Sequence, residues 1–136
     1  MNISLTKIFT FSASHRLHSL RLSEKENQAV YDKCNNEYGH GHDYVLEVTV
    51  VGRPQKESGK IILEQTFDSA VHRVIDLLDH KHLDKEIDFF KERISTGEII
   101  IQYLWEQINQ SLPAGLLYRL KLWETNNNYF EMERKK

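Results

Sequence analysis

An α+β fold built on an antiparallel sheet is what this 136-residue chain predicts, and three observations lead to it. Apolar residues recur at every second position toward both ends of the chain, which is strand periodicity. Through the middle they recur every three to four positions, which is helix periodicity. The order is two strands, two helices, two strands, an arrangement that places the helices on one face of the sheet. The length suits one domain spanning 1–136.

Each element has its own grounds. In residues 3–15, Ile3, Leu5, Lys7, Phe9, Phe11, Ala13 and His15 share one face, so a long strand is predicted with His15 near its end on the buried side. Residues 22–31 are charged and weakly helical in spacing (Leu22, Glu26, Ala29, Val30), which reads as a short surface helix or a loop. The clearest strand is 42–51. Tyr44, Leu46, Val48 and Val50 line one face, Glu47 and Thr49 the other, and His40 and His42 extend the apolar face. Gly52-Arg53-Pro54 stops it, and 54–59 read as a turn.

Phe67, Ala70, Val71, Val74, Ile75 and Leu78 then give an amphipathic helix over 66–78. A second helix begins at Ser95-Thr96-Gly97-Glu98, which has capping-box form. Its stripe is Ile101, Leu104, Trp105, Ile108 and Leu112, ended by Pro113 and Gly115. Leu116, Tyr118, Leu120 and Leu122 alternate toward Glu124, and Asn126 to Asn128 turn into a last strand over 129–133. Four such strands leave two open edges, and open edges invite pairing with another chain.

Composition narrows the function. A hydrophobic fraction of 40%, a charged fraction of 28%, a net charge of −2 and a pI near 6.4 describe a globular protein without the basic footprint of a nucleic-acid binder. The closing Arg134-Lys135-Lys136 run reads as a solvated tail. No stretch approaches the ~18 apolar residues of a membrane span. Residues 1–7 lack a basic region followed by an apolar core, so a signal peptide is not expected. One cysteine permits no internal disulfide, and a reducing, cytoplasmic location is the expectation.

The chemistry concentrates in Cys34-Asn35-Asn36-Glu37-Tyr38-Gly39-His40-Gly41-His42, with His15 upstream. His40 and His42 leave the same face of an extended chain, and Gly39 and Gly41 let the backbone approach a ligand. With His15 they would supply three imidazoles and leave one position open, the arrangement of a catalytic zinc. Three buried neutral imidazoles without partners would otherwise be costly. Cys34, six residues before His40, is either a base or nucleophile beside such a metal, or a fourth, structural ligand. Asp79-His80 pair a carboxylate with an imidazole directly after the first predicted helix. Glu124 continues the face of Leu120 and Leu122. It either points inward to accept two parallel N–H donors or reaches water at the strand's end. Thr96 and Glu98 are first of all helix-capping residues, and His18, His72 and His82 read as ordinary surface histidines.

Taken together these residues resemble the 6-pyruvoyltetrahydropterin synthase family. The matching segments run in order through nearly the whole chain: Phe11 to Leu17, Cys34-Asn35-Asn36 with Gly39 to His42, Leu78 to Lys81 with Leu83-Asp84, Ser95-Thr96 with Glu98, Leu112-Pro113 with Tyr118, and Glu124 to Asn127. The resemblance implies the tunnelling fold, a four-stranded antiparallel sheet with two helices on one side. It further implies trimers that close a barrel and stack as hexamers with intersubunit active sites. The implied reaction takes 7,8-dihydroneopterin triphosphate to 6-pyruvoyltetrahydropterin with loss of triphosphate. The family's zinc ligands fall on His15, His40 and His42, and its base on Cys34. Its relay pair from a neighbouring subunit falls on Asp79 and His80, its pterin anchor on Glu124, and a threonine contact on Thr96.

Two departures are visible. Gly97 stands where the biopterin enzymes usually carry a second threonine, and Leu63-Glu64-Gln65 lacks the usual Asn or Asp before the first helix. The rival within the same fold is 6-carboxytetrahydropterin synthase, which uses the same substrate and metal and releases acetaldehyde. Such enzymes often place the cysteine only about four residues before the first histidine of the pair, so the Cys34–His40 gap favours the pyruvoyl-forming enzyme. A rival of another class is a non-catalytic, zinc-stabilised assembly module with all four groups as ligands.

Overall fold

The computed structural model describes residues 2–135. A five-stranded sheet runs through it in the order β3-β1-β2-β4-β5. Strands β1 (Ile3–His15) and β2 (His40–Gly52) pair antiparallel along their whole length, from Ile3 opposite Gly52 to His15 opposite His40. Strand β2 pairs antiparallel with β4 (Leu117–Thr125), which pairs in turn with β5 (Asn128–Glu133) across a turn at Asn126-Asn127. All four strands read from alternation are present.

The fifth, β3 (Lys81–His82), lies parallel to β1 beside Ala13 and Ser14. The sheet is therefore neither four-stranded nor purely antiparallel, as the sequence had suggested. A two-residue strand carries no periodicity to read. What creates it is the unpaired edge of β1, where the His80 N–H donates to the Ser12 carbonyl at 2.6 Å.

Helix α1 (Glu24–Tyr31) settles the 22–31 segment as helix. Ser23 caps it: its hydroxyl accepts from Glu26 N–H at 3.1 Å, and the Glu26 carboxylate accepts from Ser23 N–H at 3.0 Å. Helix α2 (Glu64–Leu78) starts at Leu63, which has no capping side chain. Its first turn is tied instead to β1, where Lys7 Nζ lies 3.1 Å from Glu64 and 2.5 Å from Asp68. After the single-turn α3 (Leu83–Glu86), helix α4 (Gly97–Ser111) begins at Thr96, one of the two residues read as capping, but without the reciprocal bond of the expected capping box. Thr96 is the capping residue, its hydroxyl accepting from Ile99 N–H at 3.3 Å, while Ser95 turns away to other partners.

Helices α2 and α4 cover one face of the sheet. Phe67, Ala70, Val71, Val74, Ile75 and Leu78 of α2, with Ile100, Ile101, Leu104 and Ile108 of α4, pack on Phe9, Phe11, Tyr44, Leu46, Val48, Leu120 and Leu122. Burying each of the larger side chains contributes roughly 1.5–3 kcal/mol. The outer face of the sheet mixes polar residues with Ile8, Val45, Trp123 and Tyr129; the Thr6 and Thr49 hydroxyls lie 2.6 Å apart on it, and Trp123 Nε1 donates to Glu47 at 2.8 Å. Among the described residues no helix is long and apolar enough to cross a membrane. At one end of the core the packing turns polar, and there the histidines meet.

Candidate metal centre

The last register pair of β1 and β2 is His15 with His40, so the sheet brings two imidazoles together from opposite strand ends. His42 follows two residues along β2 on the same face. Its ring centroid lies 5.1 Å from that of His15 and 4.7 Å from that of His40, nearly perpendicular to both. Cys34 reaches the group from a 3₁₀ turn over Asp32–Asn35. That turn is knitted to the chain just beyond β1: Leu17 N–H donates to the Cys34 carbonyl at 2.6 Å, Asn35 Nδ2 donates to the Leu17 carbonyl at 2.8 Å, and Arg16 Nε donates to the Asn35 carbonyl at 3.1 Å. One ligand atom each from His15, Cys34 and His42 lies within 4.8 Å of the others.

His15 is fully buried, and its Nδ1 lies 2.7 Å from the Ser95 carbonyl. A carbonyl only accepts, so Nδ1 carries the proton and Nε2 keeps its lone pair. That Nε2 has no hydrogen-bond partner, nor has the Nε2 of His42. Two buried ring nitrogens left bare within reach of one thiol are costly as they stand and suit a borderline cation. Burial lowers the His15 pKa despite its bond to Ser95. Burial, with His15 and His40 alongside, lowers that of His42 to about 4. Both rings are thus neutral near pH 7, as ligation requires. Burial raises the Cys34 thiol, and the nearby Glu124 and Asp32 carboxylates add to the rise. A cation would reverse that order by favouring the thiolate. The residues fit zinc.

Outside the ligands, Asp84 holds the frame. One of its oxygens accepts from Ser95 Oγ at 2.7 Å and the other from Arg16 N–H at 2.6 Å. It therefore ties together the segment leaving His15 and the loop that orients His15. Tyr44 continues the His40-His42 face into the core, stacked on Phe11 with centroids 4.9 Å apart, its hydroxyl buried without a partner. Glu124 is half-buried, and its charge bears on His15, Cys34 and Tyr44 alike, which places it on the side of the imidazoles. Thr96 sits beside Ser95 at the start of α4.

Asp79 and His80 lie elsewhere within the chain. One Asp79 oxygen accepts from Ser12 N–H at 2.9 Å and lies 3.1 Å from His80 Nδ1. The Ser12 bond is the main reason the Asp79 pKa is lowered. His80 is exposed, with positive φ, at the β1 edge. The tight ligand group of one chain includes neither.

The sequence missed several partners. Ser95 and Asp84 bridge segments up to 80 residues apart, and no local pattern signals them. Tyr44 was legible as the next inward position after His42, but nothing marked its hydroxyl as unpaired. His82 is not an ordinary surface histidine. Both of its ring nitrogens are buried without partners, and its Nε2 would lie 2.8 Å from a Cβ on Gly39. Gly39 has φ +92°, so its glycine serves a left-handed turn and a close approach to His82. His18 is half-buried against Asn35, whereas His72 is exposed as read.

The family model described as 6-pyruvoyl tetrahydropterin synthase matches residues 4–135. The 6-pyruvoyl tetrahydrobiopterin synthase of Poecilia reticulata is 45% identical over 125 residues, covering 91% of this chain and 85% of that protein. The human protein of the same name is 39% identical over 128 residues, covering 91% and 86%. The solved structure of the Caenorhabditis elegans 6-pyruvoyl tetrahydropterin synthase superposes with a TM-score of 0.93 at 34% identity, covering 99% of this chain and 97% of that one. Such identity over nearly the whole length, on a sheet that gathers three histidines and a cysteine, is decisive: this chain belongs to the 6-pyruvoyl tetrahydropterin synthase family.

Proposed function

We propose that the chain is a zinc-dependent phosphorus–oxygen lyase, acting as one domain, that converts 7,8-dihydroneopterin triphosphate to 6-pyruvoyltetrahydropterin with loss of triphosphate. The observation that carries this reading is the pair of bare, buried Nε2 atoms on His15 and His42, with the Cys34 thiol in the same group. His15, His40 and His42 would hold the ion, and the Ser95 carbonyl fixes the tautomer of the first. Zinc, when bound, supplies Lewis acidity toward the oxygens of the substrate's side chain.

The remaining work belongs to the chain's own groups. Glu124 accepts hydrogen bonds from the amino and ring N–H edge of the pterin, which fixes the distance from ring to reacting carbons, and Thr96 adds a contact beside it. Cys34 takes a proton from one side-chain carbon and returns it to another. No external oxidant is needed, because the rearrangement moves hydrogens within the substrate as triphosphate leaves. Asp79 and His80 serve a second relay across a subunit boundary, in keeping with their exposed position at the β1 edge. The uncovered edge of β5 supports assembly by strand pairing into a trimeric barrel and its hexamer. The lone cysteine suits a reducing cytoplasm.

Product analysis with zinc-loaded protein and 7,8-dihydroneopterin triphosphate tests the reading. A pyruvoylpterin with inorganic triphosphate supports it. Acetaldehyde with a carboxypterin would assign the chain to the queuosine branch of the family. No turnover by zinc-replete oligomer overturns the lyase.

A further inference from the structure

His18 joins two clefts beside the histidine group. The first, of about 540 Å³, is lined by His40 together with Arg16, Lys33 and the carboxylates of Glu24, Asp32 and Glu37. The second, of about 590 Å³, runs from His18 to Thr96 at the start of α4, and its charged walls are Arg21, Lys91, Arg93 and Glu92. A ligand that passes His40 meets His18 and continues into the second cleft. The walls differ in sign. Acids outnumber bases in the first, whereas Arg21, Lys91 and Arg93 face the single acid Glu92 in the second.

The donors of the second cleft are set by their neighbours. Asn35 Nδ2 donates to the Leu17 carbonyl at 2.8 Å, so that end of the amide is the nitrogen. The same nitrogen lies 3.2 Å from His18 Nδ1, which must then accept. The His18 proton is thus on Nε2, the ring atom left to donate elsewhere. Arg93 is held by its Nη1 donating to the Phe89 carbonyl at 3.0 Å and by its guanidinium stacking 4.1 Å from the Phe89 ring centre. Lys91 shares its charge with Asp88 at 2.9 Å, but Arg21 and Arg93 pair with no carboxylate among the described residues. Guanidinium groups without carboxylate partners, beside a fixed N–H, suit an anion that carries several charges.

We propose that this second cleft is a polyphosphate subsite. His18 Nε2–H donates to the phosphate nearest the pterin's side chain, and Arg21, Lys91 and Arg93 hold the outer phosphates. The inference rests on the lyase reading above and deepens it, since the ligand is the triphosphate arm of the same substrate. Glu124 and Thr96 take the ring, and the cleft takes the charged tail. Seating the tail there also keeps it from Glu24, Asp32 and Glu37, whose like charge would repel it in the first cleft.

Calorimetry with inorganic triphosphate on the zinc-loaded oligomer tests the assignment. Arg21→Ala combined with Lys91→Ala, and separately His18→Phe, are each expected to raise its dissociation constant about tenfold or more. Zinc content should be unchanged, and affinity for dephosphorylated dihydroneopterin should stay within about twofold, because the altered groups are separate from those that take the ring. In turnover, KM for the triphosphate substrate should rise far more than kcat falls. Lys56→Ala removes a positive charge beyond the far end of β2 and is expected to leave triphosphate binding unaltered. Unchanged triphosphate affinity in both cleft variants overturns the proposal. So does an equal loss with Lys56→Ala, which would reduce the effect to overall charge. An equal loss for the dephosphorylated pterin overturns it as well, since these residues would then serve the fold. If triphosphate binds through Arg21 and Lys91 but no pterin product forms, the cleft stands as a polyphosphate site and the lyase reading alone fails.

Discussion

The ring of Phe130 on β5 occupies the space that a Cβ on Gly97, the first residue of α4, would fill. The two residues are therefore chosen together. A side chain at 97 is excluded by an aromatic ring on a strand, and the helix start sits closer to the sheet than any other residue would allow.

Gly97→Thr should accordingly lower stability by about 1–3 kcal/mol through overpacking. The same change combined with Phe130→Val should recover most of that loss. Chemical denaturation of the two variants and wild type checks it, and equal loss in single and double variants would show that the ring is not the obstacle.

Asp84→Ala releases both Ser95 Oγ and the Arg16 N–H, loosening the loop whose carbonyl orients His15. Zinc affinity is expected to fall about 10–100-fold, with only a modest loss of fold stability. Competition with a chromogenic chelator measures it. Unchanged affinity would mean that the Ser95 carbonyl holds its place without Asp84.

Cys34→Ala separates base from ligand. As a base its loss should leave one zinc per chain and reduce turnover by roughly 10²–10⁴-fold. Metal analysis of the purified variant decides. Loss of zinc, followed by unfolding, would instead identify a closed structural site.

The metal-free protein should weaken as pH falls from about 6.5 toward 4. His42 titrates near its ordinary 6.5 when unfolded but only at about 4 when folded, and the His15 pKa is lowered in the same direction. Between those values the unfolded chain binds more protons, so stability is full above pH 6.5 and is lost on acidification. Denaturant midpoints at several pH values follow the effect, and His42→Asn should flatten the slope across that window.

Stripping zinc with a chelator at neutral pH should abolish turnover while the sheet persists, because the apolar core between α2, α4 and the strands is continuous without the ion. Far-ultraviolet dichroism before and after treatment reads this out. Global unfolding on chelation would place the metal among the fold's main supports.

Much of this was legible in the chain itself. Alternation in β1, β2 and β4 and the stripes of α2 and α4 follow from which side chains must leave water, and the same alternation aimed His15, His40 and His42 inward while leaving Glu124 open between the inner face and water. The short β3 was not legible, since two residues show no period. The capping role of Thr96 was legible, but the failure of Ser95 to open a capping box was not, because only the presence of Asp84 draws Ser95 away from the helix.

The amino-acid order by itself determined the faces: apolar periodicity is a local property, and so is the spacing that puts two imidazoles on one side of a strand. Tertiary structure alone decided the partners. Which carbonyl meets His15 and which ring closes over Gly97 depend on where distant segments pack. So does the lack of any partner for the Tyr44 hydroxyl, a matter of three-dimensional distance that no run of neighbouring residues encodes.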